Sequence, residues 1–178
     1  RVSLVDYEFA DLIDDQDKVR MLIDPTSSYA QAAAFAMGRA MDDEIISAAT
    51  GTSFTGETGS TSTALPSGQI ITEASTDGLT IAKLREAKKI LDLNSVDPSI
   101  PRHIIVSPKQ IDDLLGTTSV TSSDFNTVKA LVQGEVNAFM GFNFIVSNRL
   151  SIASSKRACI AFAQDGIALG VGKDVMAR

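Results

Sequence analysis

The chain has 178 residues, enough for one domain or one domain with two lobes. It is 44% hydrophobic, holds 6% aromatics and no Trp, and carries a net charge of −6, which excludes a global basic field for gripping nucleic acid. One cysteine, Cys159, and one histidine, His103, exclude an internal disulfide and a Cys/His metal cage, and there is neither an apolar run of membrane-spanning length nor a signal-peptide pattern.

Val2 and Leu4 alternate with polar residues and predict a strand at the start. Asp11, Asp14, Asp15 and Asp17 predict an exposed bend, and Asp24-Pro25 disfavours helix at Asp24. Ser27 or Ser28 can cap a long helix running from Tyr29 to about Thr50, rich in Ala and free of Pro. Tyr29, Ala33, Ala36, Ala40 and Ser47 share one side, which Phe35, Met41 and Ile45 widen; Gly51 ends the helix. Roughly 22 residues at about 1.5 Å each make a rod of about 33 Å, long for a domain this size. Asp42, Asp43 and Glu44 stand in its C-terminal half, where the helix dipole disfavours negative charge, so they call for solvent or a basic partner.

Residues 51–68, rich in Gly, Ser and Thr, read as a long loop, and Gln69-Ile70-Ile71-Thr72 as a short strand. Thr80 caps a second helix with Ile81, Leu84, Ala87 and Leu91 on its buried stripe. Lys83, Arg85, Lys88 and Lys89 then form its wet face. After a loop with two prolines comes an apolar strand, His103-Ile104-Ile105-Val106. It runs into the capping box Ser107-Pro108-Lys109-Gln110 and a short helix carrying Ile111, Leu114 and Leu115, stopped by Gly116. Asp124 caps another helix with Phe125, Val128, Leu131 and Val132. The last third reads as β: residues 142–146, then 158–163, turned by Gln164-Asp165-Gly166 into 167–171. The fold class is α+β with a mostly antiparallel sheet.

The residues needed for chemistry do not assemble. His103 opens an apolar strand with no nucleophile motif nearby, and Cys159 sits in Ala158-Cys159-Ile160-Ala161-Phe162 as a small hydrophobe. There is no G-x-S-x-G elbow. The loop Gly51-Thr52-Ser53-Phe54-Thr55-Gly56-Glu57-Thr58 has P-loop glycine spacing, but Glu57 stands where a Lys must reach the phosphates, and the loop follows a helix where it should precede one. The acidic bend at 11–17 lacks the glycine and closing Glu of a calcium loop. Gly170-Val171-Gly172 is too short for a dinucleotide fingerprint and marks a strand end or bulge. No catalytic residue, cofactor or metal is expected, and the chain reads as a non-enzyme.

Several segments together resemble the major capsid proteins of tailed bacteriophages. Asp24-Pro25-Thr26-Ser27-Ser28-Tyr29 with Ala36-Met37-Gly38-Arg39-Ala40-Met41-Asp42 is similar to that family's long helix and the chain leading into it. Leu65-Pro66-Ser67-Gly68-Gln69 resembles the return from the following loop, and Gly78-Leu79-Thr80-Ile81-Ala82-Lys83-Leu84 the next helix start. Val106-Ser107-Pro108-Lys109-Gln110 resembles a strand-to-helix junction, and Phe139-Met140-Gly141-Phe142 with Ile145-Val146-Ser147 a later strand. The order and spacing of the set carry the likeness.

The resemblance implies an HK97-like shell fold. Residues 1–76 would form part of a peripheral domain, with extended-loop base, spine helix and connecting loop, and 77–178 mainly part of an axial domain. The chain would be a fragment of the fold, lacking the N-terminal arm, the rest of the extended loop and the closing strand. It also implies self-assembly into hexamers and pentamers of an icosahedral phage or prophage head enclosing double-stranded DNA. Scaffold and portal proteins would be partners, DNA would be met non-specifically, and no membrane would be involved. The protein would be built in the bacterial cytoplasm and reside in the virion. The alternative is a phage tail or adaptor ring protein. Candidate subunit-interface residues are Gly38, through which the long helix can approach a sheet or a neighbour closely, and Arg39, Asp42, Asp43 and Glu44. Arg39 either pairs with Asp42 or Asp43 on its own helix or faces another subunit.

Overall fold

The computed structural model describes residues 4–8, 10, 25–71, 78–116, 138–153 and 156–172. The acidic bend at 11–17 and the helix expected after Asp124 lie outside them. Of the strand expected at the start, Val2 lies outside the described residues; Leu4 to Glu8 are exposed and form no strand.

Helix α1 spans Pro25–Thr50, 26 residues and about 39 Å. It starts before the predicted Tyr29. A proline fits the first helical position, where its missing N–H would have no partner anyway. Ser27 and Ser28 therefore lie inside the helix, past the position expected for its cap. Thr50 Oγ1 donates back to the Ile46 carbonyl at 3.2 Å, one turn earlier in the helix.

The Ser/Thr-rich stretch holds a small exposed hairpin where a loop was predicted: β1 (Ser53–Thr55) pairs antiparallel with β2 (Thr61–Thr63). Gly59 donates back to the Gly56 carbonyl at 3.1 Å to close the turn. Residues Ser67–Gln69 form a 3-10 turn, and no strand follows at 70–71, against expectation.

Helix α2 spans Ile81–Leu93, and the Thr80 hydroxyl accepts from the Lys83 backbone N–H at 3.4 Å, as predicted. Strand β3 (Arg102–Val106) leads into α3 (Pro108–Gly116). At their junction half of the capping box forms. The Ser107 N–H donates to Gln110 Oε1 at 2.7 Å, but the buried Ser107 hydroxyl has no partner. Gln110 spends its amide on the Arg157 carbonyl at 3.0 Å, tying the helix to a distant strand.

A four-stranded sheet has the order β4-β5-β3-β8, with β4 at Ala138–Phe139, β5 at Phe142–Val146 and β8 at Ile160–Ala163. β3 runs parallel to β5 and antiparallel to β8. β4 and β5 form a two-residue hairpin whose turn residues, Met140 (φ 54) and Gly141 (φ 87), both have positive φ. That twist suits tightly connected strands. A separate ribbon pairs β6 (Ile152–Ala153) with β7 (Lys156–Arg157). The hairpin expected at Asp165-Gly166 is absent: residues Gln164–Gly166 form a 3-10 turn and residues 167–171 no strand.

Strand β3 explains why its sequence is apolar without alternation. Ile104 and Val106 face one core, with Leu79 just before α2, Leu84 on α2, Leu114 on α3, and Phe139 and Phe142. Ile105 faces the opposite side, where it meets Leu150, Ile160 and Ile46 of α1. A strand covered on both faces needs hydrophobes at successive positions. Cys159 packs at the margin of the first core, and the His103 and Phe162 rings meet across strands at 5.7 Å between centroids.

Candidate interface surface on the long helix

Helix α1 is anchored at one end. Ile46 is buried in the second core and Ala49 packs partly against it, whereas Tyr29, Phe35, Gly38, Arg39, Asp42 and Glu44 are exposed. Of the expected stripe, Ala33, Ala36, Ala40, Met41 and Ile45 are half-buried, but Tyr29, Ser47 and Phe35 are not. The reason is that the helix is longer than the sheet it rests on.

The predicted interface residues separate into two groups. A Cβ at Gly38 would meet nothing within 4 Å, so this glycine does not bring the helix close to the sheet. Its open side is available to a neighbour. Arg39 and Asp42 are exposed, and the Arg39 pairing on the same helix does not form. Asp43 instead takes a two-pronged ion pair from Arg149, whose Nε and Nη2 donate to its two carboxylate oxygens. The guanidinium holds the Asp43 carboxyl below the usual carboxylate value and raises Arg149 in turn. Glu44 accepts a hydrogen bond from the Tyr7 hydroxyl, which pushes the phenol above its ordinary value. The basic partner that the acidic triplet calls for is thus supplied by a loop 106 residues away, a pairing with no local sequence signal.

A second charged surface lies on α2. Arg85, Lys88 and Lys89 are exposed as predicted and, with Asp92, Leu93 and Met140, line an open cleft of about 460 Å³. Next to it, Arg102 is buried. Its Nη2 donates to Asp92 Oδ1 at 2.6 Å and to the Val96 carbonyl at 3.2 Å, pinning the end of α2 to the start of β3. Among the described residues no group of three His, Cys, Asp or Glu side chains could hold a metal ion, and no helix is long and apolar enough to cross a membrane.

These features define an α+β protein whose charged groups join its own elements or face outward. The chain belongs to the phage capsid protein family, whose family model matches residues 1–178. Among solved structures, a chain of Mycobacterium phage Che8 is similar with a TM-score of 0.53 and 23% identity, over 81% of this chain and 48% of that one. The capsid structure of the cyanophage P-SCSP1u is similar with a TM-score of 0.56 and 24% identity, over 84% of this chain and 53% of that one. The chain spans about half the length of these structures. No curated protein matches it.

Proposed function

We propose that this chain is the core of a major capsid protein, which assembles as hexamers and pentamers into an icosahedral head around double-stranded DNA. The observation that carries the reading is the family match along the whole chain, supported by a fold shared with a phage capsid structure. The site's geometry agrees: among the described residues the long helix is packed at its C-terminal part, and its other part carries an exposed flank open to a neighbour. Residues 1–76 serve as part of the peripheral domain and 77–178 mainly as part of the axial domain. Scaffold and portal proteins are the further partners, and DNA is met without sequence preference. An acidic chain at −6 suits that role, because a strongly basic wall would hold the genome and resist ejection. The protein acts by packing, with no catalytic step, after assembly in the host cytoplasm. Electron microscopy of the full-length protein, expressed with its neighbouring phage genes, tests the reading. Closed uniform particles are expected; discrete rings or persistent monomers would overturn it.

A further inference from the structure

The loop that carries α2 into β3 builds one wall of an open cleft of about 640 Å³, a size usual for small-ligand sites. Asp97 holds the loop in shape: its Oδ1 accepts from the Ser99 N–H and from the Ser99 hydroxyl, both at 2.8 Å. Pro98 and Pro101 fix φ on either side of Ser99 and Ile100, so the wall is formed in advance and binding has little left to order. Val96, Pro98, Ile100 and Pro101 give it an apolar lining, and Lys88 and Arg102 line the same cleft.

The charges of the cleft differ in how far they are engaged. Both carboxylates are committed, Asp97 to the Ser99 turn and Asp92 to Nη2 of Arg102 at 2.6 Å. The two cations keep donors in hand. Arg102 is 6% exposed, and Nη2 alone makes its hydrogen bonds, to Asp92 and to the Val96 carbonyl, while Nε is buried with no acceptor. Lys88 has no hydrogen bond or ion pair among the described residues, and its Nζ stands 3.8 Å from where a Cβ on Gly141 would lie. A buried donor is nearly always met, and an unmet one marks the place of a water or ion. On a guanidinium the unmet state is especially costly.

We propose that this cleft binds a carboxylate on an aliphatic stem, of the kind a glutamate side chain presents. The anion lies against Arg102 and Lys88, and the stem runs along the apolar wall. A planar guanidinium suits a planar carboxylate, and a single negative charge is what the site tolerates. A phosphate group carries nearly two at neutral pH and would face Asp92 and Asp97 across the same space. The carboxylate has two sources: an acidic side chain of a neighbouring copy, since the chain holds 22 Asp and Glu against 16 Lys and Arg, or a free dicarboxylate. The site goes beyond the shell reading and does not depend on it.

The test uses the full-length protein held unassembled, with isotope-labelled arginine side chains, and follows the Arg102 Nε–H resonance by NMR. Glutarate, inorganic phosphate and sodium chloride are titrated at matched ionic strength. The resonance should move saturably with glutarate, and Lys88→Gln, an exposed substitution, should weaken glutarate binding by about tenfold. Arg102 itself is left in place because it pins α2 to β3. Equal movement with sodium chloride would overturn the proposal, as would tighter binding of phosphate. No movement at all would overturn it too, because a water or one of the chain's own carboxylates then already serves the guanidinium. Assembly separates the two sources. With a neighbouring copy as the source, saturating glutarate and Lys88→Gln should each raise the protein concentration needed for particles; with a free dicarboxylate, glutarate binds and assembly is unchanged. A protein that binds glutarate but never forms particles would count against the shell reading alone.

Discussion

Replacing Ile46 by alanine should loosen α1 from the sheet more than any other single truncation on that helix. Ile46 is buried among Ile105, Leu150 and Ile160, with Ala49, Phe162 and Ile167 partly covering the group. Truncating a buried isoleucine removes its transfer energy and leaves a cavity, at about 2–5 kcal/mol. Partly exposed neighbours let the site collapse, which places the expected loss in the lower half of that range, about 2–3 kcal/mol. Phe35→Ala, on the same face of the helix but largely in water, should cost less than about 1 kcal/mol in the unassembled chain. Urea unfolding gives both losses, and amide exchange locates them. Amides in the C-terminal half of α1 should lose protection in Ile46→Ala, while those of β3 and β5 keep most of theirs. Equal effects of the two substitutions, or a loss below about 1 kcal/mol for Ile46→Ala, would refute the idea that α1 is held chiefly through this contact.

Gly38→Leu should fold normally and gain up to about 1 kcal/mol in the isolated chain from helix propensity, since its side chain has open space, yet should block assembly; normal particles by electron microscopy would contradict this. Ser107→Ala should cost less than the roughly 1 kcal/mol usual for a helix-capping serine, because the hydroxyl has no partner, whereas Gln110→Ala should cost about 1–2 kcal/mol by leaving the Ser107 N–H unbonded; paired urea titrations decide. Gly141→Ala should cost about 1–2 kcal/mol from its φ of 87° alone, since an added Cβ would approach nothing closer than Lys88 Nζ at 3.8 Å, and thermal melts read the loss. Asp43 is depressed by Arg149, so the pair's contribution is present at neutral pH and above the unfolded carboxyl's value. It is lost as pH falls through the lower folded value. Arg149→Ala should return the Asp43 carboxyl to the ordinary range in a carbon-detected NMR titration and flatten the acid limb of stability.

Elements whose cause is local were legible. Thr80 caps α2 because its hydroxyl meets an N–H three residues away, and the stripe Ile81, Leu84, Ala87 and Leu91 turns inward at helical period. The strand at 103–106 and its junction with α3 follow from a short apolar run ended by Ser-Pro. Local signals misled where competing conformations differ little. The Asp165-Gly166 pair can close a hairpin or a 3-10 turn, and here residues 167–171 do not return along β8. The Ser/Thr-rich stretch after α1 has no buried face to announce its hairpin, whose strands are exposed throughout.

The amino-acid order by itself determined that this chain folds as α+β around a long helix and carries its charge on helix flanks, because periodicity, caps and breakers act within a few residues. It also placed Asp42, Asp43 and Glu44 side by side in the C-terminal half of the long helix, where their charge calls for solvent or a basic partner. Only the tertiary structure decided how they are answered: Asp43 by Arg149, Glu44 by Tyr7, and Asp42 left facing outward. The same holds for α1, which is core at Ile46 and exposed at Phe35. Burial depends on where the sheet ends beneath the helix, and that edge is set by strand pairings between residues far apart in the chain.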